Sequence, residues 1–243
     1  LYTYRALTVP ENATYFTQLK TLITTHWQRF AVDEMRDLYL LAINYCIKKL
    51  NSGEAQFIRE ALDLYTVGLE KEILLEDGQL SRYTYNNILS LRLMLSEFDT
   101  ARQFLEQYKM YLPRRSRRNV YLYNLTIYHF KKQEYQKVME LLQQVQFRDV
   151  LYNLDTRRML LRSYFEMGAF EPLDSLLESF LIFIRRRGDL SYHKENFLNL
   201  IKFTKKLLLI GHEKKARIQL RKTVMGASAV ADKQWLLEKI DNW

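Results

Sequence analysis

The chain has 243 residues, of which 48% are hydrophobic and 27% charged, so it is long and apolar enough to bury a core. It contains only 7 glycines and 3 prolines, a composition that disfavours glycine-rich phosphate loops and folds with many tight hairpins. The net charge of +9 is unevenly spread: residues 1–80 carry 8 basic and 11 acidic side chains, and residues 81–243 carry 29 and 17. These values indicate a globular, helical protein.

Helical periodicity begins near the N-terminus. Apolar residues at three- and four-residue steps predict a first helix over residues 10–30, which opens at Pro10. A second helix over residues 33–50 is expected to end at Asn51-Ser-Gly53, and a third over residues 54–75 to end near Glu76-Asp-Gly78.

From residue 83 onward the pattern predicts pairs of helices with short connections. The expected pairs are 83–95 with 97–112, 117–130 with 134–145, 155–167 with 170–186, and 192–210 with 213–224, before a last helix over 232–241. Connections of two to six residues make successive helices antiparallel. The sequence therefore predicts helical hairpins.

These hairpins repeat one pattern at the turn. An aromatic residue lies two positions after each of three turns, at Phe98, Tyr135 and Phe170. A small or aliphatic residue follows three positions later and a leucine four beyond that: Ala101 and Leu105, Val138 and Leu142, Leu173 and Leu177. The fourth hairpin keeps Gly211, Ala216 and Leu220 but has Glu213 at the aromatic position, and Ala61 and Tyr65 fit the same slots earlier in the chain. Recurrence at this spacing predicts a solenoid of stacked hairpins.

The repeats resemble the tetratricopeptide repeat family, whose unit is a helix–turn–helix of about 34 residues. The segment Leu122-Tyr-Asn-Leu125 is similar to the core of the family's first helix, Ala101 fills the small second-helix position, and Pro113 the terminal proline. The resemblance covers roughly residues 35–226 and is clearest over 83–187; most repeats lack the terminal proline and two lack the turn glycine.

That resemblance implies an all-α, right-handed α-α superhelix of about five hairpins in a single domain. Residues 1–32 would form an N-terminal helix, residues 33–226 the hairpins and residues 227–243 a capping helix. In the family, first helices line a concave groove that binds extended peptides. The groove residues implied here are Asn86, Asn87, Tyr123, Asn124, Arg158 and Arg162. Asparagine amides can bind a peptide backbone and arginine a carboxylate, but each side chain could instead satisfy local groups of the fold.

Basic residues cluster in the later part of the chain. The clusters are Arg114, Arg115, Arg117 and Arg118 after Pro113, then Arg185, Arg186 and Arg187, and lysines and arginines of the last hairpin. Since both arginine clusters follow second helices, antiparallel hairpins would place them on one edge of a solenoid. Such an edge could bind phosphates or an acidic protein tail. The alternative is that arginines oppose the negative end of a helix dipole and keep the surface solvated.

No set of residues typical of an enzyme occurs in the sequence. The four histidines are far apart and lack metal-binding spacing, and phosphate-loop, dinucleotide-binding and hydrolase motifs are absent. Cys46, the only cysteine, lies on an apolar helical stripe, which predicts a buried thiol and a reducing compartment. We therefore predict a non-enzymatic, cytoplasmic protein that needs no cofactor or metal.

Three functional hypotheses follow from this pattern. The leading one is a scaffold or adaptor that binds a protein segment, with an acidic segment as one option. The second is nucleic-acid binding through the basic C-terminal two-thirds. The third is a regulatory or structural domain of a longer protein, which is consistent with a start at Leu1 rather than methionine. No apolar run approaches the ~20 residues that span a bilayer.

Overall fold

The computed structural model describes residues 13–145, 149–188, 190 and 193–242. Nearly all of the regular structure in these residues is α-helical, which confirms the predicted all-α class. The chain divides into two compact units, Leu1–Gln146 and Phe147–Trp243, and each unit has its own apolar core. The single domain and the superhelix stay predictions. The expected helix start at Pro10 lies outside the described residues.

The described part of unit 1 contains seven α-helices. They are α1 (Ala13–Thr25), α2 (Val32–Asn51), α3 (Phe57–Glu70), α4 (Arg82–Met94), α5 (Phe98–Tyr108), α6 (Arg117–Lys131) and α7 (Tyr135–Leu142). Short 3₁₀ turns, Trp27–Arg29 and Lys109–Tyr111, follow α1 and α5, so both of those α-helices end earlier than the sequence predicts. Consecutive helices pack against each other, and α4 also packs against α6.

Unit 2 contains five α-helices in its described residues. They are α8 (Val150–Glu166), α9 (Phe170–Arg185), α10 (His193–Ile210), α11 (Lys214–Gly226) and α12 (Lys233–Asn242). Helix α12 packs against α10 and α11, and it buries Trp235, Leu236 and Ile240 in the core of the unit. No helix in the described ranges of either unit is long and apolar enough to cross a membrane.

The third helix is shorter than the sequence predicts, because a small β-hairpin follows it. Strands β1 (Leu75–Glu76) and β2 (Gln79–Leu80) pair antiparallel, with Leu75 opposite Leu80. Asp77 and Gly78 have φ values of 50° and 69°, which suit the two central positions of a tight hairpin turn. The composition argued against such hairpins, but this one brings two buried leucines onto the core and so stabilises the turn.

The turns that carry the predicted aromatic residue share one backbone conformation. Ser96, Gln133 and Gly168, each two residues before the aromatic, have φ values of 58°, 59° and 67°. In each turn the next amide donates to the carbonyl five residues back, as Glu97 does to Arg92 at 2.9 Å. These bonds define a Schellman motif, in which the residue with positive φ ends the helix. The three turns therefore share one geometry at the positions that the sequence aligns, whereas the solenoid of stacked hairpins stays a prediction.

The small or aliphatic positions of the repeat are buried as expected. Ala101, Val138 and Leu173 are fully buried, and so are the leucines at 105 and 177. Within the α4–α5 hairpin, the Tyr85 hydroxyl also donates to the Leu105 carbonyl at 2.8 Å. The repeat positions are thus the positions at which the second helix of each hairpin packs into the core.

Candidate protein-binding surfaces

Four of the six predicted groove residues lie in unit 1. On α4, Asn87 Nδ2 donates to the Tyr65 hydroxyl at 3.1 Å, and the buried Oδ1 of Asn86 has no hydrogen-bond partner among the described residues. On α6, Asn124 Nδ2 donates to a backbone carbonyl one turn earlier at 2.9 Å. Asn124 is only 1% exposed and Tyr123 7% exposed, so these two side chains pack the interior and present no open surface.

The other two predicted groove residues, Arg158 and Arg162 on α8, face the protein's own C-terminal helix. Arg158 Nη1 donates to both carboxylate oxygens of Asp232, at 2.8 and 2.9 Å, and its Nη2 lies 2.7 Å from Asp155 Oδ1. Arg162 Nη1 lies 3.4 Å from Asp232 Oδ1, and its guanidinium lies 5.1 Å from the ring centroid of Trp235. Both arginines are therefore engaged within unit 2.

The contact between α8 and α12 continues for another turn. The carboxylate of Glu166 accepts hydrogen bonds from Trp235 Nε1 and Lys239 Nζ, each at 2.6 Å. Burial alone would lower the pKa of Arg158, but the carboxylates of Asp155 and Asp232 outweigh that effect and raise it. Arg158, Arg162 and Glu166 thus each pair with a charged group of unit 2.

The sequence does contain a pattern that predicts this contact, namely stripes of residues spaced three or four apart, one on α8 and one at α12. Arg158, Arg162 and Glu166 recur every four residues on α8. Asp232, Trp235 and Lys239 recur at three- and four-residue steps at and after the start of α12. Since residues at these steps share one helix face, the first and last residues of the two stripes carry opposite charges, with Trp235 at the middle position of the second stripe. This complementarity between the two stripes predicts that α8 and α12 contact each other, whereas neither helix predicts the contact alone.

Unit 1 contains an open cavity that the sequence pattern did not indicate. It has a volume of about 270 Å³ and lies between α3, α4 and α5. Its wall includes Glu70 of α3, Arg92 of α4, and Gln103, Gln107 and Tyr108 of α5. Hydroxyl, amide and charged groups therefore reach one small space from three helices.

Arg92 is the cation of this cavity, and its charge is incompletely paired. Its side chain is 17% exposed, and its Nη1 lies 3.4 Å from Glu97 Oε2. Glu97 also binds Arg59 Nη2 at 2.5 Å, so two guanidinium groups share one carboxylate. The buried Nε of Arg92 has no hydrogen-bond partner in the part of the chain that the structure describes. Burial lowers the pKa of Arg92 although Glu97 opposes the shift, which marks the cation as under-compensated.

The first basic cluster lies in unit 1. Arg114, Arg115 and Arg118 are exposed, whereas Arg117 is half-buried. Arg117 Nη2 donates to the carbonyls of Met110 and Leu112 at 2.6 and 3.0 Å. It therefore satisfies carbonyls at the end of the preceding helical segment, as the alternative based on helix dipoles expects.

The second basic cluster lies in unit 2. Arg185 and Arg186 are exposed at the end of α9, and the guanidinium of the half-buried Arg187 lies 5.4 Å from the ring centroid of Phe183. Because the two clusters belong to different units, a shared basic edge stays a prediction.

Unit 2 also contains an arginine that the sequence pattern did not single out. The guanidinium carbon of Arg157 lies 4.9 Å from the ring centroid of Phe183 and 5.8 Å from that of Phe180. Its Nη1 lies 3.4 Å from the neutral Ser179 hydroxyl, and no carboxylate of the described residues forms an ion pair with it. Burial lowers the pKa of Arg157. Nothing local in the sequence distinguishes this residue from its neighbour Arg158.

The cysteine and one histidine of unit 1 are engaged in the fold, by burial and by a hydrogen bond. Cys46 is fully buried, and burial raises the pKa of its thiol to about 12. His129 Nδ1 lies 2.5 Å from Glu134 Oε2, which joins the end of α6 to the residue before α7. Within the ranges that the structure describes, no group of three His, Cys, Asp or Glu residues is placed to hold a metal ion. The absence of catalysis stays a prediction.

Comparison with known proteins found no matching family model, no similar curated protein and no similar solved structure.

Proposed function

We propose that this all-α chain is a non-enzymatic scaffold of tetratricopeptide-like hairpins that binds a segment of another protein. The observation that carries the proposal is the cavity of unit 1, where the incompletely paired Arg92 lies beside hydrogen-bonding side chains of three helices. The binding site would therefore differ from the groove that the sequence pattern predicts.

The chemistry of the cavity suits a side chain that carries a carboxylate. An arginine that shares its carboxylate partner with a second arginine gains a charge-assisted hydrogen bond when a further carboxylate arrives. The cavity volume of about 270 Å³ lies just below the range of about 300–1,000 Å³ that is typical of small-molecule sites, so the cavity can hold only a small part of a protein segment.

The surroundings of Arg92 suit the rest of such a segment. The amides of Gln103 and Gln107 are exposed at the wall of the cavity and can each donate to and accept from a peptide backbone. Glu70, exposed on α3, adds a negative charge at the same cavity. We therefore expect a segment in which an acidic residue has a basic or neutral neighbour, rather than a run of acidic residues.

Selection from a displayed peptide library tests this function. The full chain should enrich peptides that share an aspartate or glutamate, and the variant Arg92→Gln should lose at least about tenfold in affinity for them, since a charged hydrogen bond contributes about 1.5–3 kcal/mol. Arg102→Gln is the matched control, because Arg102 pairs with Glu106 and does not line the cavity. Enrichment of no peptide, or equal binding by Arg92→Gln, would reject the proposal.

A further inference from the structure

We propose that Arg157, together with Arg187, forms a second anion site in unit 2 that binds carboxylates of an acidic protein segment. This inference goes beyond the cavity of unit 1 and uses no residue of that cavity.

The first argument is the contrast between two adjacent arginines. Arg158 binds two carboxylates, whereas the contacts of Arg157 among the described residues are with a hydroxyl and two aromatic rings. Arg157 is half-buried, and partial burial of a charge without an opposite charge is unfavourable. An anion that binds Arg157 would remove this cost.

The second argument is position within the helix. Arg185 and Arg186 lie at the C-terminal end of α9, where cations oppose the negative end of the helix dipole. Arg157 lies in the interior of α8, more than a turn from either end. The dipole therefore explains the first two arginines but leaves Arg157 without a structural role of that kind.

The third argument is the convergence of positive charge at one ring. The guanidinium carbons of Arg157 and Arg187 lie 4.9 and 5.4 Å from the centroid of Phe183. They are therefore no farther apart than about one Debye length in 0.1 M salt, about 10 Å, and solvent ions screen them poorly. On the same helix, Glu178 forms an ion pair with Lys205 and is already engaged.

Aromatic exposure favours a carboxylate ligand over nucleic acid. Proteins that bind single-stranded nucleic acid stack bases on exposed aromatic rings. Phe180 is fully buried, and Phe183 is half-buried beneath two guanidinium groups. The planar guanidinium of Arg157 suits a carboxylate, which it can bind with two parallel hydrogen bonds.

Fluorescence anisotropy with a labelled octaglutamate peptide tests this site on the full chain. At about 50 mM salt we expect saturable binding that Arg157→Gln weakens at least about tenfold, which is about 1.4 kcal/mol. Arg157→Lys keeps the charge but loses the planar fork, and should weaken binding at least about threefold. Lys206→Gln removes one exposed cation of α10 and is the matched control, with an expected change below about twofold.

Four outcomes would overturn the inference. They are no saturable binding, equal loss with Lys206→Gln, loss with Arg92→Gln instead of Arg157→Gln, and tighter binding of a single-stranded oligonucleotide of the same charge that Arg157→Gln also weakens. The third outcome would assign the peptide to unit 1 and leave the proposed scaffold function intact. If circular dichroism shows that Arg157→Gln does not fold, Arg157→Lys decides the test, with its expected loss of at least about threefold.

Discussion

Units 1 and 2 differ in how completely carboxylates pair with a partly buried arginine. In unit 2, Arg158 binds Asp155 and Asp232, and the C-terminal helix covers its stripe of α8. In unit 1, Arg92 shares Glu97 with Arg59 and lines an open cavity. The same residue type thus stabilises the fold where its charge is fully paired. Where the pairing is incomplete and a cavity lies beside it, we propose that the arginine binds a ligand.

The largest expected effect distinguishes two adjacent arginines of α8. Arg158→Met should lower the free energy of unfolding by about 3 kcal/mol, because it leaves Asp155 and Asp232 partly buried without their cation. Arg157→Met, its matched control, should change it by less than about 1 kcal/mol, since no carboxylate loses a partner. Urea unfolding measures both values, and equal losses would contradict the different roles assigned to these residues.

A smaller effect is expected where α12 meets α8. Glu166→Gln keeps the shape of the side chain but removes the charge that binds Trp235 and Lys239. It should cost about 1.5 kcal/mol, the lower end of the range for a hydrogen bond to a charged group, because the amide oxygen of glutamine can still accept a hydrogen bond. Glu178→Gln provides a control, because Glu178 is largely exposed and its ion pair with Lys205 should contribute little. An equal cost for the two variants in thermal unfolding would show that α12 is not held by this contact.

Much of the fold could be predicted because the signals are local. The three turns with Phe98, Tyr135 and Phe170 align from sequence alone, since the residue two positions earlier must end a helix with positive φ. The dipeptide Asp77-Gly78 is typical of a β-hairpin turn, but the low glycine content of the whole chain disfavours hairpins.

The candidate sites were harder to predict because they depend on distant partners. Asp232 lies 74 residues after Arg158, and no spacing within α8 shows that the chain supplies its own carboxylate there. The cavity at Arg92 likewise arises from three helices, and an arginine on one of them carries no local mark of it. Burial of Asn124 follows from the packing around α6, which a count of polar residues on one helix face does not reveal.

Substitutions at the turns of the two units should change the free energy of unfolding by about 1 kcal/mol or less. Ser96 and Gln133 of unit 1 adopt positive φ without being glycine. Ser96→Gly and Gln133→Gly should therefore each stabilise the protein by about 0.5–1 kcal/mol, whereas Gly168→Ala in unit 2 should destabilise it by about 1 kcal/mol. Changes of the same sign for all three substitutions in thermal unfolding would contradict the shared turn geometry.

A further expected effect is a pH dependence that arises from His129 and Glu134 in unit 1. Burial lowers the pKa of His129 below 6.5, and the hydrogen bond from His129 is the main cause that lowers the pKa of Glu134 to about 2. The unfolded chain therefore binds more protons than the folded one, first as the pH falls through about 6.5 and again between about 4.5 and 2. Stability should fall with acidification in both ranges.

The variant His129→Gln tests this pH dependence. It should remove the step near pH 6.5, which urea unfolding at a series of pH values would detect. His212→Gln serves as the control, because His212 is exposed. An unchanged slope in His129→Gln would show that another group titrates there.

Hydrogen exchange with a library-selected peptide tests the scaffold function most directly. If the cavity of unit 1 holds the segment, amides of α3, α4 and α5 should gain protection in the complex, while α8 and α12 keep theirs. Protection gained in α8, together with faster exchange in α12, would instead show that the segment displaces the C-terminal helix and takes over Arg158 and Arg162, which would contradict the assignment to Arg92.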